Sequence, residues 1–282
     1  MKLLRHGPKG REKPGLVAPD GTLRDLSGVI ADIDGTTLSP EALDRLRGVD
    51  PASLPALPDT TRIGACVGHV GKFIGIGLNY SDHAEEAGMP IPREPIIFHK
   101  ATTCIAGPYD DVILPPSALK TDWEVELAFV IGTRAKHVSE ADALAHVAGY
   151  CIVNDISDRA WQAEREGQWT KGKSYDGFGP MGPWLVTADE VADPGDLAMT
   201  LDVSGVRRQD GSTQTMIFGV ATLVSYLSEF MTLEPGDVIT TGTPPGVGLG
   251  MRPQVWLKDG DVMRLEIAGL GHQEQTVRTA PA

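Results

Sequence analysis

Residues Thr121 to Gly132 read TDWEVELAFVIG. Leu127–Ile131 is a continuous apolar run of strand length, the mark of a buried strand. Directly before it stand Glu124 and Glu126, one residue apart. In a strand, residues i and i+2 share a face, with Cα atoms about 7 Å apart. Like charges so placed repel each other, and the cost rises with burial. The spacing alone allows two readings: an exposed edge with alternating charge, or a pair of ligands flanking a divalent cation. A second apolar run, Tyr150–Val153, ends at Asn154-Asp155 and puts a third carboxylate at a strand end. Hard cations such as Mg²⁺ take oxygen ligands and usually keep several waters, so three carboxylates form an open, catalytic type of site rather than a closed cage.

Working outward, short apolar runs bounded by turn residues recur: Phe73–Leu78, Ile96–His99, Val112–Leu114, Val125–Ile131 and Val238–Thr241. Met263–Ile267 and Glu274–Arg278, joined through Gly269-Leu270-Gly271, predict a closing hairpin. Ser139 with Asp142 predicts a capped helix reaching Ala148 and closed by Gly149. Apolar residues at Ile217, Val220, Val224 and Leu227 predict a helix within Met216–Met231. Strands dominate and helices intervene irregularly, which is α+β and β-rich rather than doubly wound. Residues 1–68 form a candidate small N-terminal domain, with strand-like pieces at Gly15–Ala18, Leu23–Leu26 and Gly28–Ile30 and a short helix, Pro40–Leu46, capped by Ser39. Its boundary falls after the proline-bearing stretch Asp50–Pro58, leaving 69–282 as the catalytic domain.

The chain has 282 residues and a formal charge of −13, which argues against nucleic-acid binding. It contains no apolar run long enough for a membrane span and opens without the apolar stretch of a secretory signal. Cys66, Cys104 and Cys151 show no CxxC spacing and read as reduced thiols of a cytoplasmic protein.

Two further constellations carry chemistry. Asn154-Asp155-Ile156-Ser157-Asp158-Arg159 is followed by Gln162, and a helical turn starting at Asp155 would align Asp155, Arg159 and Gln162 on one face. Arg binds carboxylates bidentately, as an anionic substrate requires. The segment Asn79–Glu86 (NYSDHAEE) holds His83 and Glu86 at i and i+3. On a helix, Glu86 could orient His83 as a general base; otherwise this is a polar surface loop. Separately, Val29–Leu38 (VIADIDGTTL) resembles the D-x-D-G-T opening of haloacid-dehalogenase-type phosphatases, with Asp32 as nucleophile and Asp34 handling protons. The strand before it is short and the residues after it do not read as the α/β unit that fold needs, so a surface turn is the simpler reading.

As a set and in order, GIGLNYSDHAEEAG, KTDWEVELAFVIG, VNDISDRAWQ, KGKSYDGFGPMGPW and ITTGTPPGVG resemble the fumarylacetoacetate hydrolase family, over about Lys72 to Arg278. The resemblance implies a mixed β-roll with flanking helices and a homodimer. It implies Mg²⁺ or Mn²⁺ held by Glu124, Glu126 and Asp155. It further implies a catalytic His83/Glu86 dyad on a mobile lid and an active-site Lys173, with Lys171 as the fallback. Arg159, Gln162 and Thr243 would bind substrate. Lys100 matches a family lysine without an assigned role, and His99 stands where relatives have an apolar residue. The implied reaction is hydrolysis of a C–C bond in a 2,4-dioxo acid. Within the family the chain resembles the bacterial 2,4-diketo-3-deoxy-L-rhamnonate and -fuconate hydrolases, which release pyruvate and a hydroxy acid. Oxo-acid decarboxylases, isomerases and ureidoglycolate lyases are the alternatives from the same family.

Overall fold

The computed structural model describes residues 1–280. The N-terminal strands are β1 (Lys2–His6), β2 (Lys13–Val17), β3 (Leu23–Asp25) and β4 (Ile63–Gly64). There follow β5 (Phe73–Gly77), β6 (Ile96–Lys100), β7 (Ile105–Ala106), β8 (Val112–Leu114), β9 (Thr121–Asp122) and β10 (Val125–Ile131). The middle of the chain adds β11 (Val147–Asn154), β12 (Ser157–Asp158) and β13 (Gly179–Thr187). The last strands are β14 (Ala198–Val203), β15 (Val206–Ser212), β16 (Val238–Thr240), β17 (Val262–Ile267) and β18 (Gly271–Thr279). Helices are few and short: α1 (Pro40–Arg47), α2 (Ser81–Ala87), α3 (Glu140–Ala143), α4 (Arg159–Ala163), α5 (Thr170–Lys173) and α6 (Val220–Phe230). Among the described residues, no helix is long and apolar enough to cross a membrane.

An eleven-stranded sheet has the central order β3-β2-β1-β13-β11-β10-β16-β5-β6, and a five-stranded sheet the order β15-β14-β17-β18-β8. The period of two along β10 explains how both faces of the large sheet are covered. Val125, Leu127, Phe129 and Ile131 enter the core shared with the smaller sheet and α6. Ala128 and Val130 enter a second core with Leu3, Leu16, Leu26, Ile33 and Leu43. Residues 1–68 therefore cover one face of the sheet, and β1 also extends it by pairing with β13. The expected first boundary is thus not a break in the hydrogen-bonded sheet.

Several expected elements form with nearly the expected limits. Ser39 caps α1 by accepting from the Ala42 N–H at 3.2 Å. Two expectations are corrected. The helix expected to run to Ala148 ends after one turn at Ala143, a 3₁₀ turn follows, and β11 starts at Val147. Gly149 lies inside that strand and does not cap a helix. A Cβ there would stand 2.3 Å from the Val186 carbonyl oxygen, so the glycine is required by strand packing. No strand forms at Gly28–Ile30. The following Asp32 is clamped by Arg5, whose Nε and Nη2 donate to its two oxygens at 2.6 and 2.9 Å. Asp34 closes a local turn by accepting from the Thr36 N–H and hydroxyl. These residues are turn residues, not the strand-end nucleophile and proton carrier of a phosphatase.

The Gly149 packing yields a test. Gly149→Ala forces backbone against backbone, and overpacking of this kind costs about 1–3 kcal/mol. The urea midpoint should fall accordingly; an unchanged midpoint would contradict the packing described.

Candidate active site

The β10–β11 register places the acids. Val125 pairs with Asn154 and Glu126 with Val153, and the Asp155 N–H donates to the Glu124 carbonyl at 2.9 Å. Glu124 and Asp155 are thus opposite each other at the strand ends. With Glu126 they share the face that carries Ala128, Val130, Cys151 and Val153. One oxygen from each of the three carboxylates lies within 4.8 Å of the others, and all three residues are buried. Of the two readings of the Glu124–Glu126 spacing, the exposed edge is excluded.

Like charges directly opposite on a sheet destabilise it. Here cations intervene. Lys173 Nζ donates to Glu124 Oε2 at 2.5 Å and to Asp155 Oδ2 at 2.7 Å. Lys100 Nζ donates to Asp155 Oδ1 at 2.5 Å and to the Lys173 carbonyl. Lys100 thereby tethers both an acid and the backbone of the lysine beside it, a role its sequence context did not show. Arg159 Nη2 reaches Glu124 Oε1 at 2.7 Å. Its Nε donates to Asp122 Oδ2 at 2.8 Å, and its Nη1 donates to Gln162 Oε1 at 3.0 Å.

Burial alone would raise the Glu124 carboxyl, but Lys173 and Arg159 overcome it and hold the group at about 2. For Lys173, burial acts downward and is outweighed by Asp155 and Glu124, so the ammonium is held above its usual range. Glu126 is different. It accepts from the Gly242 N–H at 3.1 Å, and among the described residues it has no ion pair within 4.0 Å. Burial, then Asp155 and Glu124, push its carboxyl well above the usual range. Glu124 and Asp155 are thus matched by Lys100, Arg159 and Lys173, and Glu126 is not. A buried carboxylate lacking a cation, converging with two others, fits a divalent ion with oxygen ligands.

A cavity of about 410 Å³ opens over this cluster. Glu124, Glu126, Arg159, Gln162, Lys173 and Thr243 line it, and so do His83 and Glu86. Asp155 lies beneath, fully buried. The dyad stands on α2, whose start is pinned by Asn79: its Nδ2 donates to the Phe218 and Thr241 carbonyls, and its Oδ1 accepts from the Phe218 N–H. That use of residues 216–218 explains why α6 begins only at Val220. His83 Nδ1 lies 3.1 Å from Glu86 Oε2, and Glu86 also accepts from the Gly246 N–H at 3.0 Å. The apolar wall includes Phe98 and Trp169, ring centroids 5.5 Å apart. Gly77 has no side chain because a Cβ there would lie 2.3 Å from the Trp169 ring.

Three site expectations change in detail. Asp155 is not on a helix with Arg159 and Gln162. β12 intervenes, Asp158 caps α4 by accepting from the Trp161 N–H, and Asp155 arrives from β11. The Thr243 hydroxyl donates to the Val125 carbonyl at 2.9 Å and accepts from Gln209 Nε2 at 2.7 Å, so it has no proton left for a substrate carboxylate. Lys171 is exposed and bonds the Arg165 carbonyl, outside the cluster. His99 points away from the cavity while its strand neighbours Phe98 and Lys100 are buried. Asp122 was not foreseen. Fully buried, it accepts from Arg159 and from the N–H groups of Gly248 (2.7 Å) and Leu249 (3.0 Å). Its signal was in the opening stretch, where the alternation of acids begins at Asp122 rather than Glu124.

The family model described as fumarylacetoacetate (FAA) hydrolase C-terminal matches residues 72–278. A Burkholderia lata protein, named as a hydrolase without an established activity, is 60% identical over 281 residues, 99% of this chain and 100% of its own. A Mycobacterium smegmatis structure, provisionally assigned as HpcE, superposes with a TM-score of 0.90 at 36% identity and covers 100% of both chains. Maleylpyruvate hydrolase from Sphingobium sp. SYK-6, in complex with manganese(II) ion and pyruvate, gives a TM-score of 0.80 at 29% identity, again over 100% of both chains.

The Glu126 environment fixes the sign of a pH effect. Its folded-state affinity for a proton exceeds that of the unfolded chain, about 4.3. Its stabilising contribution in metal-free protein is therefore present below that pH and is lost as pH rises through the raised value. In chelator, Glu126→Gln should melt higher than the parent, by a margin that widens as pH rises above the ordinary carboxyl range. With Mn²⁺ the order should reverse, because the variant loses a ligand and binds at least about 100-fold more weakly. Parallel melting curves at all pH values would contradict this.

Proposed function

The chain belongs to the fumarylacetoacetate hydrolase family, and from that premise we propose that it is a divalent-metal-dependent hydrolase cleaving a C–C bond of a 2,4-dioxo, acylpyruvate-type acid to release pyruvate. The observation that carries this reading is the facing of two units across one cavity: the buried triad Glu124, Glu126, Asp155 and the imidazole–carboxylate dyad His83/Glu86. The likeness to a hydrolase whose structure holds manganese and pyruvate supports it.

Held by the triad, Mg²⁺ or Mn²⁺ would supply Lewis-acid polarisation of the substrate's oxo group. The remaining work falls to the chain's own side chains. Glu86 accepts from His83 Nδ1, which leaves Nε2 as the base that takes a proton from the attacking water. The carboxylate then stabilises the imidazolium as it forms. Lys173 remains an ammonium in a buried setting. Two of its three protons are committed to Glu124 and Asp155, and the third can meet negative charge developing on the substrate. Arg159, whose Nε and Nη2 are engaged by Asp122 and Glu124 and whose Nη1 donates once to Gln162, keeps one Nη1 proton for a substrate oxygen. The dyad favours hydrolysis over decarboxylation, which needs no water-activating base. The finer sequence reading, a 2,4-diketo-3-deoxy-L-rhamnonate or -fuconate as substrate, belongs to the same proposal, as does a homodimeric state.

Pyruvate release should be measured across a panel of 2,4-dioxo acids that includes these sugar acids, with Mg²⁺, with Mn²⁺ and with chelator. Metal-dependent pyruvate release is expected from at least one of them, and its absence throughout would contradict the reading. His83→Ala should lower turnover about 10²–10⁴-fold while leaving Mn²⁺ affinity unchanged. Equal loss of Mn²⁺ affinity would overturn the assignment of His83 as base.

A further inference from the structure

On one edge of β10 the partner strand runs out before the acids do. The last rung toward β16 is the Thr241 N–H donating to the Leu127 carbonyl at 2.9 Å. Gly242, at φ 88°, then turns the chain away. Val125, between Glu124 and Glu126, has no strand on that edge to pair its N–H and carbonyl. A buried peptide group left unpaired costs about as much as a lost hydrogen bond.

Gln209 supplies what the strand does not. It lies on β15 opposite Leu201 and is fully buried. Its Oε1 accepts from the Val125 N–H at 3.0 Å. Its Nε2 donates to the Thr243 hydroxyl at 2.7 Å and to the Pro244 carbonyl at 2.8 Å. The Thr243 hydroxyl in turn donates to the Val125 carbonyl at 2.9 Å. The bonds close a ring from Val125 to Gln209, to Thr243 and back to Val125. A side-chain amide carries both an acceptor and donors, so it can stand in for the peptide groups of a missing strand. Core filling alone does not account for it, because an apolar side chain of that length would fill the space without desolvating an amide.

The ring also sets the loop that follows. On one side of Thr243 and Pro244, the Gly242 N–H donates to Glu126 Oε2 at 3.1 Å. On the other side, the Gly246 N–H donates to Glu86 Oε1 at 3.0 Å. β15 backs this loop directly: a Cβ on Gly246 would lie 1.8 Å from the Arg208 carbonyl oxygen, and one on Gly211 would lie 2.4 Å from the Pro244 Cβ. One buried amide thus stands between a carboxylate of the triad and the carboxylate of the dyad, and it does not line the cavity.

We propose that Gln209 is a positioning residue for both halves of the site. It fixes the backbone between Glu124 and Glu126 and, through Thr243 and Pro244, the loop that bonds Glu126 and Glu86. This rests on reading the triad as a metal centre and His83/Glu86 as its facing dyad. Gln209 acts through the backbone and takes no part in bond cleavage.

The test uses the full chain and Mn²⁺ alone. Gln209→Met keeps the length of the side chain and removes its hydrogen bonds. Thr243→Val breaks the ring at its other member, and Thr243→Ser keeps the hydroxyl. Mn²⁺ affinity, read by calorimetry, should fall about 10–100-fold in Gln209→Met and Thr243→Val, as when the outer partner of a metal ligand is lost. It should stay at the parent value in Thr243→Ser. At saturating Mn²⁺ the electron paramagnetic resonance spectra of the two weakened variants should show a changed zero-field splitting, which a loss of stability alone would not produce. In metal-free Gln209→Met the Gly242 and Gly246 amides should exchange hydrogen about tenfold faster than in the parent, while the β11 amides keep their rates. Parent affinity and spectrum in Gln209→Met, or exchange raised equally throughout the chain, would overturn the positioning role and leave the metal-centre reading intact. If Gln209→Met does not fold, Thr243→Val against Thr243→Ser decides by the same readings. If the parent itself binds no Mn²⁺, the metal-centre reading fails and the positioning role with it.

Discussion

Glu124 and Asp155 stand opposite each other on neighbouring antiparallel strands, with Glu126 one pleat further on the same face. In a sheet this arrangement costs free energy unless positive charge lies among the carboxylates. The surroundings can be read as responses to that cost. Lys173 bridges the two opposed acids, Lys100 holds Asp155 from behind, and Arg159 caps Glu124. Such buried ion pairs add little net stability over an apolar core of the same shape. What they add is position: each oxygen of Glu124 and Asp155 has a defined cationic neighbour, and each cation is held by two or more acceptors. Glu126 is left without a cation, and that imbalance makes the cluster a candidate metal centre rather than a closed ionic knot.

The same constraint organises what lies above the floor. Asp122 continues the alternation of acids one step earlier and faces the opposite way in function. It does not contribute to the triad but fixes Arg159 and the turn at Gly248 and Leu249. Glu86 does the equivalent on the other wall, accepting both from His83 and from the Gly246 N–H. One short loop, residues 246–254, therefore bonds both Glu86 of the base-carrying helix α2 and the Asp122 carboxylate that fixes the floor arginine. The loop thereby fixes the base and the floor arginine relative to each other.

How much of this was legible in the sequence depends on whether the signal was local. The run Val125–Ile131 forms a strand with the expected limits, because an apolar run with a period-two partner set has few alternatives. Ser39 announces α1 through its cap. The central strand β13 was not foreseen: Pro180, Gly182 and Pro183 lie inside it and read as breakers. The stretch from Ser139 to Ala148 carries a helix signal that tertiary contact overrides, since β11 needs Gly149 beside the Val186 carbonyl. The triad, the dyad and Lys173 were legible as motifs. The roles of Asp122 and Lys100 were not, because a buried charge is defined by partners far away in sequence. Thr243 shows the reverse: a motif match whose hydroxyl is committed to Val125 and Gln209.

The central claim is that three acids from two strands converge on one divalent ion. The most direct measurement is anomalous diffraction from crystals grown with Mn²⁺. The account predicts a single strong peak ligated by one oxygen each from Glu124, Glu126 and Asp155. Manganese bound elsewhere, or not at all, with the three carboxylates left without an ion, would contradict it.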